Sequence, residues 1–152
     1  MHRYLVNTAI LLGLIALSGL VYIRLAPDDL LALHVPPPLG AAPGQPVRTA
    51  NSYLVEEQIP RPPAPVLAQL DATILATPRT RLIAGNAQQR MLTYVTRSRI
   101  FGFPDYTTVR VAAGDGGSSR VQIYARSRYG RSDRGVNKAR VVGWLKALKA
   151  LD

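Results

Sequence analysis

The chain opens on twenty uncharged positions, 4–23, set between Arg3 and Arg24. Leu11, Leu12, Leu14, Ile15, Leu17, Leu20, Val21 and Ile23 dominate the run. A helix of that length measures about 30 Å, the thickness of a bilayer's hydrocarbon core. Only a helix would satisfy the backbone of so apolar a segment there. Tyr4 and Tyr22 stand at its two ends, where amphipathic rings favour the interface. A cleaved signal peptide is the competing reading. The run is long for a signal core, and its one small-x-small triplet, Ala16-Leu17-Ser18, lies inside it rather than beyond. An anchor over 1–25 is therefore expected. So short a leading tail usually stays inside. The expected setting is a bacterial inner membrane, crossed once, with the rest of the chain facing the periplasm.

Periodicity then disappears. Ten of the twelve prolines fall between Ala26 and Pro65. Proline lacks an N–H donor and favours extended polyproline geometry. Residues 26–64 read as a semi-rigid stalk with a reach on the order of 100 Å, at about 3.1 Å per residue. Within it only Ser52-Tyr53-Leu54-Val55 suggests an edge strand. His34 is isolated and reads as exposed or interfacial.

From residue 65 the pattern returns. Val66, Leu67, Leu70 and Ile74 recur at helical spacing, and Pro78 stops the run. A short strand is expected over 81–84, closed by Gly85-Asn86. Longer strands follow over 91–101, 106–112 and 119–129, separated by a turn at 102–105 and a Gly-rich hairpin at 114–117. In the last strand Val121, Ile123 and Ala125 alternate with Arg120, Gln122, Tyr124, Arg126 and Arg128. A final helix is expected, capped by Asn137 or a neighbour, with a stripe of Val141, Trp144, Leu145, Leu148 and Leu151. The predicted fold class is α+β. Three to four antiparallel strands carry helices on one face, in a small domain over 65–152 preceded by one transmembrane helix.

Charge changes the picture because it is unevenly placed. Residues 1–78 hold four basic and five acidic side chains. Residues 79–152 hold fifteen basic and four acidic ones. The domain, not the chain at large, is cationic. It favours anionic lipid, cell-wall polymer or an acidic protein as partner. Nucleic acid is disfavoured for an exported domain. Zero cysteines exclude disulfides, thiol catalysis and Cys-based metal sites.

Two stretches echo each other. Arg97-Ser98-Arg99 leads to Gly102 and Asp105, and Arg126-Ser127-Arg128 leads to Gly130 and Asp133. Alternation would put Arg97 with Arg99, and Arg126 with Arg128, on one strand face each. Asp105 and Asp133 are the expected ion-pair partners that hold these guanidiniums in place. A recessed anion site built from spare Arg forks is the functional alternative. No enzyme template is visible. The domain has no His for acid–base work, the serines lack a base, and the carboxylates sit among guanidiniums that favour their ionised form. No cofactor or metal is expected.

The segments Thr77-Pro78-Arg79-Thr80-Arg81, 94–105 and 126–140 together resemble the family known as domain of unknown function 1499. The likeness covers roughly residues 66–150. Its most specific part is Ser132-Asp133, Gly135, Asn137 and Arg140. The resemblance implies an envelope or organellar setting and adds Ser132, Asn137 and Arg140 to the ligand candidates. It implies no activity. Many relatives carry a cysteine-containing segment before the domain, which this chain lacks. The expected function is a membrane-anchored, non-enzymatic envelope protein that binds an anionic ligand through Arg97, Arg99, Arg126 and Arg128. The alternatives are a hydrolase or transferase using Asp105 or Asp133, and a purely structural or assembly module.

Overall fold

A computed structural model describes residues 1–150. Two helices come first, α1 (His2–Leu25) and the single turn α2 (Leu30–Leu33). Strands β1 (Val47–Arg48) and β2 (Ser52–Ile59) follow, then α3 (Pro63–Leu75). Next come β3 (Thr80–Asn86), β4 (Met91–Arg97), β5 (Pro104–Ala113), β6 (Ser119–Ser127) and α4 (Val136–Lys149). The fold class is α+β, as the periodicity indicates. The sheet, however, has six strands in the order β1-β2-β6-β5-β4-β3, every pair antiparallel, instead of three or four.

The two extra strands come from the stretch expected to be a stalk. Residues 52–59 pair along their whole length with β6, from Ser52 opposite Arg126 to Ile59 opposite Ser119. Tyr53, Val55 and Ile59 alternate into the core. Flanking prolines on both sides hide this alternation from a compositional reading. Proline is compatible with the loops and helix start that bracket a strand, where no ladder donor is needed.

α3 and α4 cover one face of the sheet. Val66, Leu67, Leu70 and Ile74 of α3 meet Val141, Trp144, Leu145 and Leu148 of α4 over Val109, Val111, Val121, Ile123 and Ala125. Leu151, the last residue expected in this stripe, lies outside the described residues.

The opposite face is covered too, by the chain's own N-terminal segment. Ala26 is buried, the Asp28 carboxylate bonds both Arg81 and Tyr106, and His34 Nδ1 lies 2.9 Å from Thr93 Oγ1. His34 is therefore half-buried against β4 rather than free in a linker. Residues 26–34 form a strap across the sheet, so α1 meets the domain without a spacer. α1 itself is long and apolar enough to cross a membrane, and none of it is buried against the domain.

Candidate functional site

The strands end earlier than the β pattern suggests, and that decides where the Arg residues point. β4 stops at Arg97, which sits opposite Pro104. The turn between them is closed by Ser98 N–H to Phe103 O at 2.9 Å and Phe103 N–H to Ser98 Oγ at 3.0 Å. Arg99 therefore lies in the turn, not on the strand face beside Arg97. β6 ends at Ser127, so Arg128 lies just beyond its own strand. Gly102, at φ +73, makes the turn, and its bare Cα lies against the Arg24 side chain.

The sheet then separates the expected ligand residues into two groups. Arg126 and Arg128 lie on the strap side. Arg126 donates to Leu33 O at 2.7 Å and to Thr108 Oγ1 at 3.3 Å, and stacks 4.8 Å from the Tyr124 ring. Burial lowers its pKa, partly offset by Tyr124 and Tyr106. Arg128 donates to Pro27 O at 3.0 Å and to the Tyr106 hydroxyl at 3.2 Å. The Tyr106 bond raises the Arg128 pKa. Tyr106 is pushed upward by burial and by its bond to Asp28. These two guanidiniums satisfy carbonyl oxygens of the strap.

The second group surrounds an open cleft of about 470 Å³ at the end of the sheet where β4, β6 and α3 finish and α4 begins. Arg99, Ser132 and Arg140 line it, as do Asp105 and Asp133, and Arg97 borders it while its guanidinium donates to Gly102 O and, at the end of α1, to Ile23 O. Arg79 joins them, at φ +62, with Nε donating to Arg97 O at 3.1 Å and its carbonyl accepting from Arg97 N–H at 3.0 Å. Arg79 belongs to the family-like segment 77–81 but is not among the ligand residues expected from the sequence. It stands right after the Pro78 that ends α3, and that stop signal is what brings it to the sheet end. Phe103 and Tyr129 form the aromatic wall, with ring centroids 6.3 Å apart.

Neither carboxylate pairs with the Arg-Ser-Arg guanidiniums as expected. Asp105 accepts from Ser127 Oγ at 2.6 Å and from Arg140 at 3.3 Å. Asn137, fully buried, closes a ring by donating to Ser127 Oγ and accepting from Arg140, each at 3.2 Å. This ring joins β5, β6 and α4 beneath the cleft. Asp133 instead accepts from Gly135 N–H at 2.9 Å and Asn137 N–H at 3.0 Å. It caps the start of α4, where unpaired N–H groups favour a carboxylate. Asn137 is thus capped rather than capping. Among the described residues Arg99 has no hydrogen-bond partner, so its guanidinium faces the cleft mouth unspent. No three His, Cys, Asp or Glu side chains among the described residues gather as metal ligands.

Solved structures share this fold at low identity. Protein MLL2253 from Mesorhizobium loti is 14% identical, with 66% of this chain covering 95% of that one at a TM-score of 0.51. XoxI from Bacillus cereus is 18% identical over 66% of this chain and 94% of its own, at a TM-score of 0.52. An uncharacterized protein from Bacillus thuringiensis is 19% identical, with 66% and 99% covered, at a TM-score of 0.50. These likenesses concern the fold alone. No curated protein matches the sequence. The sequence profile described as "Protein of unknown function (DUF1499)" matches residues 39–148. That span includes β1 and β2 as well as the cleft motifs, and so begins well before the domain boundary expected at 65. The chain belongs to the DUF1499 family.

Proposed function

We propose that this protein is a membrane-anchored, non-enzymatic binding domain that holds an anionic ligand in the cleft at the end of its sheet. The observation that carries this reading is the imbalance of engagement around the cleft. Both of its carboxylates are committed, Asp105 to Ser127 and Arg140 and Asp133 to the start of α4. Arg99 is not committed to any described residue. Arg79 and Arg97 bond only to backbone carbonyls, leaving further N–H donors for an anion. Tyr129 places its hydroxyl, buried and without a hydrogen-bond partner, in the same wall. Such a site suits a carboxylate or phosphate from a lipid, a cell-wall polymer or an acidic protein. Chemistry by Asp105 or Asp133 is disfavoured, because general acid–base work needs a carboxyl group free to exchange its proton with substrate.

α1 supports the anchor, and the periplasmic face of a bacterial inner membrane is the setting proposed for the domain. Fractionation tests that part directly. A mature chain beginning at Met1 in the membrane fraction supports the anchor, and a processed soluble form overturns it.

The ligand reading is tested on the full chain in neutral phosphatidylcholine nanodiscs, titrated with inorganic phosphate and with soluble anionic cell-wall polymer. Chemical-shift changes should centre on Arg97, Arg99 and Ser132 and should fade as salt is raised. Absence of binding at low salt, or binding that survives Arg97→Ala with Arg99→Ala, would leave the structural-module alternative in its place.

A further inference from the structure

The turn between β4 and β5 has an unusual composition. Turns at sheet ends favour Gly, Pro, Asn, Asp and Ser. Here the sequence is Arg99-Ile100-Phe101-Gly102-Phe103, which contains both phenylalanines of the whole chain. Ile100 is 72% exposed and Phe101 48% exposed. Phe101 lies 5.6 Å from Phe103, which in turn reaches Tyr129, so the apolar tip is continuous with the aromatic wall of the cleft.

What lies beside this tip identifies its partner. The end of α1 touches it directly. Arg24 donates to Ile100 O at 2.9 Å, and Arg97 reaches both Ile23 O and Gly102 O. The point where the apolar helix enters the domain and the point where the domain exposes its apolar turn are the same place. Around both stand Arg24, Arg97 and Arg99, with no carboxylate in the turn itself. An apolar tip ringed by guanidiniums complements a bilayer surface, with acyl chains for the side chains and anionic headgroups for the charges. The Gly-rich turn after β5, at the other end of the sheet, has none of these features.

We infer that Ile100 and Phe101 insert into the bilayer that α1 crosses, as a second membrane contact that lays the mouth of the Arg cleft against anionic phospholipid headgroups. This rests on the anchor proposed above and deepens it. The domain would not hang from a flexible tether. It would be seated at two points, with the cleft held at headgroup depth.

The absence of cysteine makes the test direct. In the full chain, single Ile100→Cys, Phe101→Cys, Ser18→Cys and Asp115→Cys variants are labelled with an environment-sensitive fluorophore. Each is reconstituted into nanodiscs of phosphatidylglycerol and phosphatidylcholine in equal parts, with and without spin-labelled lipid. Labels at 100 and 101 should shift to shorter wavelength and be quenched by the lipid-borne spin label, whereas the label at 115 should not. In pure phosphatidylcholine the quenching at 100 and 101 should weaken. A water-like, unquenched signal at both 100 and 101 in the mixed nanodiscs overturns the inference. The label at 18 reads the anchor separately. If it is unquenched the anchor itself fails, and if it is quenched while 100 and 101 are not, only the second contact fails.

Discussion

Arg126 donates to the carbonyl oxygen of Leu33 at 2.7 Å across 93 positions of sequence. This bond ties the segment that follows α1 to the last β6 residue paired with β2, opposite Ser52, and it explains why a basic sheet face tolerates its charge. The guanidinium there is a structural donor to a carbonyl that the Thr108 hydroxyl also reaches, at 3.3 Å. Arg126→Ala in the full chain should cost about 1–2 kcal/mol, the loss of a charged hydrogen bond whose acceptor keeps only the longer bond from Thr108. Backbone amides of residues 27–34 should exchange with solvent faster as the strap loosens. Unchanged exchange in that segment would mean that Asp28 and His34 hold the strap without Arg126.

Asp133 tests a different assignment. Its two oxygens accept from the Gly135 and Asn137 N–H groups. Asp133→Ala should lower stability by about 1–2 kcal/mol, the usual loss on removing a side-chain cap. Asp133→Asn, which keeps one acceptor oxygen, should lose less. The melting temperature reads both. Equal melts for Ala and wild type would show that the loop before α4 is held by other contacts, such as Asp133 N–H to Ala50 O.

The contrast between these two residues shows what the sequence could reveal. Alternation of Val121, Ile123 and Ala125 with polar neighbours correctly marks the core face of β6, because strand period is a local property. The helix stripes over Val66–Ile74 and Val141–Leu148 are legible for the same reason. The partners of the polar face are not local. Arg126 and Arg128 find backbone carbonyls of Leu33 and Pro27, and carbonyls carry no sequence signature. β2 is legible only as an edge strand over 52–55, and its full length and its place inside the sheet escape notice because proline density dominates its surroundings, although Tyr53, Val55 and Ile59 alternate inside it. In the cleft, the motif residues Arg97, Arg99, Ser132 and Arg140 do converge. Arg126 and Arg128 are held away from it by carbonyls of the strap, and Arg99 is carried to it because the hydrogen bonds of the β4–β5 turn, rather than propensity, end β4 at Arg97.

Arg140 and Arg99 both line the cleft but should respond differently to removal. Arg140 bonds Asp105 and Asn137 and is only 14% exposed at its side chain. Arg140→Ala breaks the ring and leaves Asp105 with an unpaired oxygen. A loss of roughly 1–3 kcal/mol is expected. A double-mutant cycle with Asp105→Ala should give a coupling of roughly 1 kcal/mol. Arg99→Ala removes an exposed side chain and should leave the melt within about 0.5 kcal/mol of wild type. If Arg99→Ala destabilises as much as Arg140→Ala, the β4–β5 turn depends on a contact of Arg99, and its guanidinium is not spare.

The alkaline limb of stability should carry the signature of Tyr94. Its side chain is buried under α3, and its hydroxyl donates to Asp71 Oδ1 at 2.8 Å. Burial first, and then the bond to Asp71, raises its pKa above the ordinary tyrosine value. A group whose folded pKa is raised binds its proton more tightly in the native state. Its contribution is fully present below the unfolded value of about 10 and is lost as pH climbs from there toward the folded pKa. Tyr106, raised by burial and by Asp28, acts in the same direction. The melting temperature should therefore fall as pH passes about 10. Tyr94→Phe should be less stable at neutral pH by about 1 kcal/mol, having lost the bond. Its alkaline slope should nevertheless be shallower, because the phenylalanine has no proton to lose. Parallel slopes for the two proteins would mean that other groups, Tyr106 first among them, set the alkaline limit.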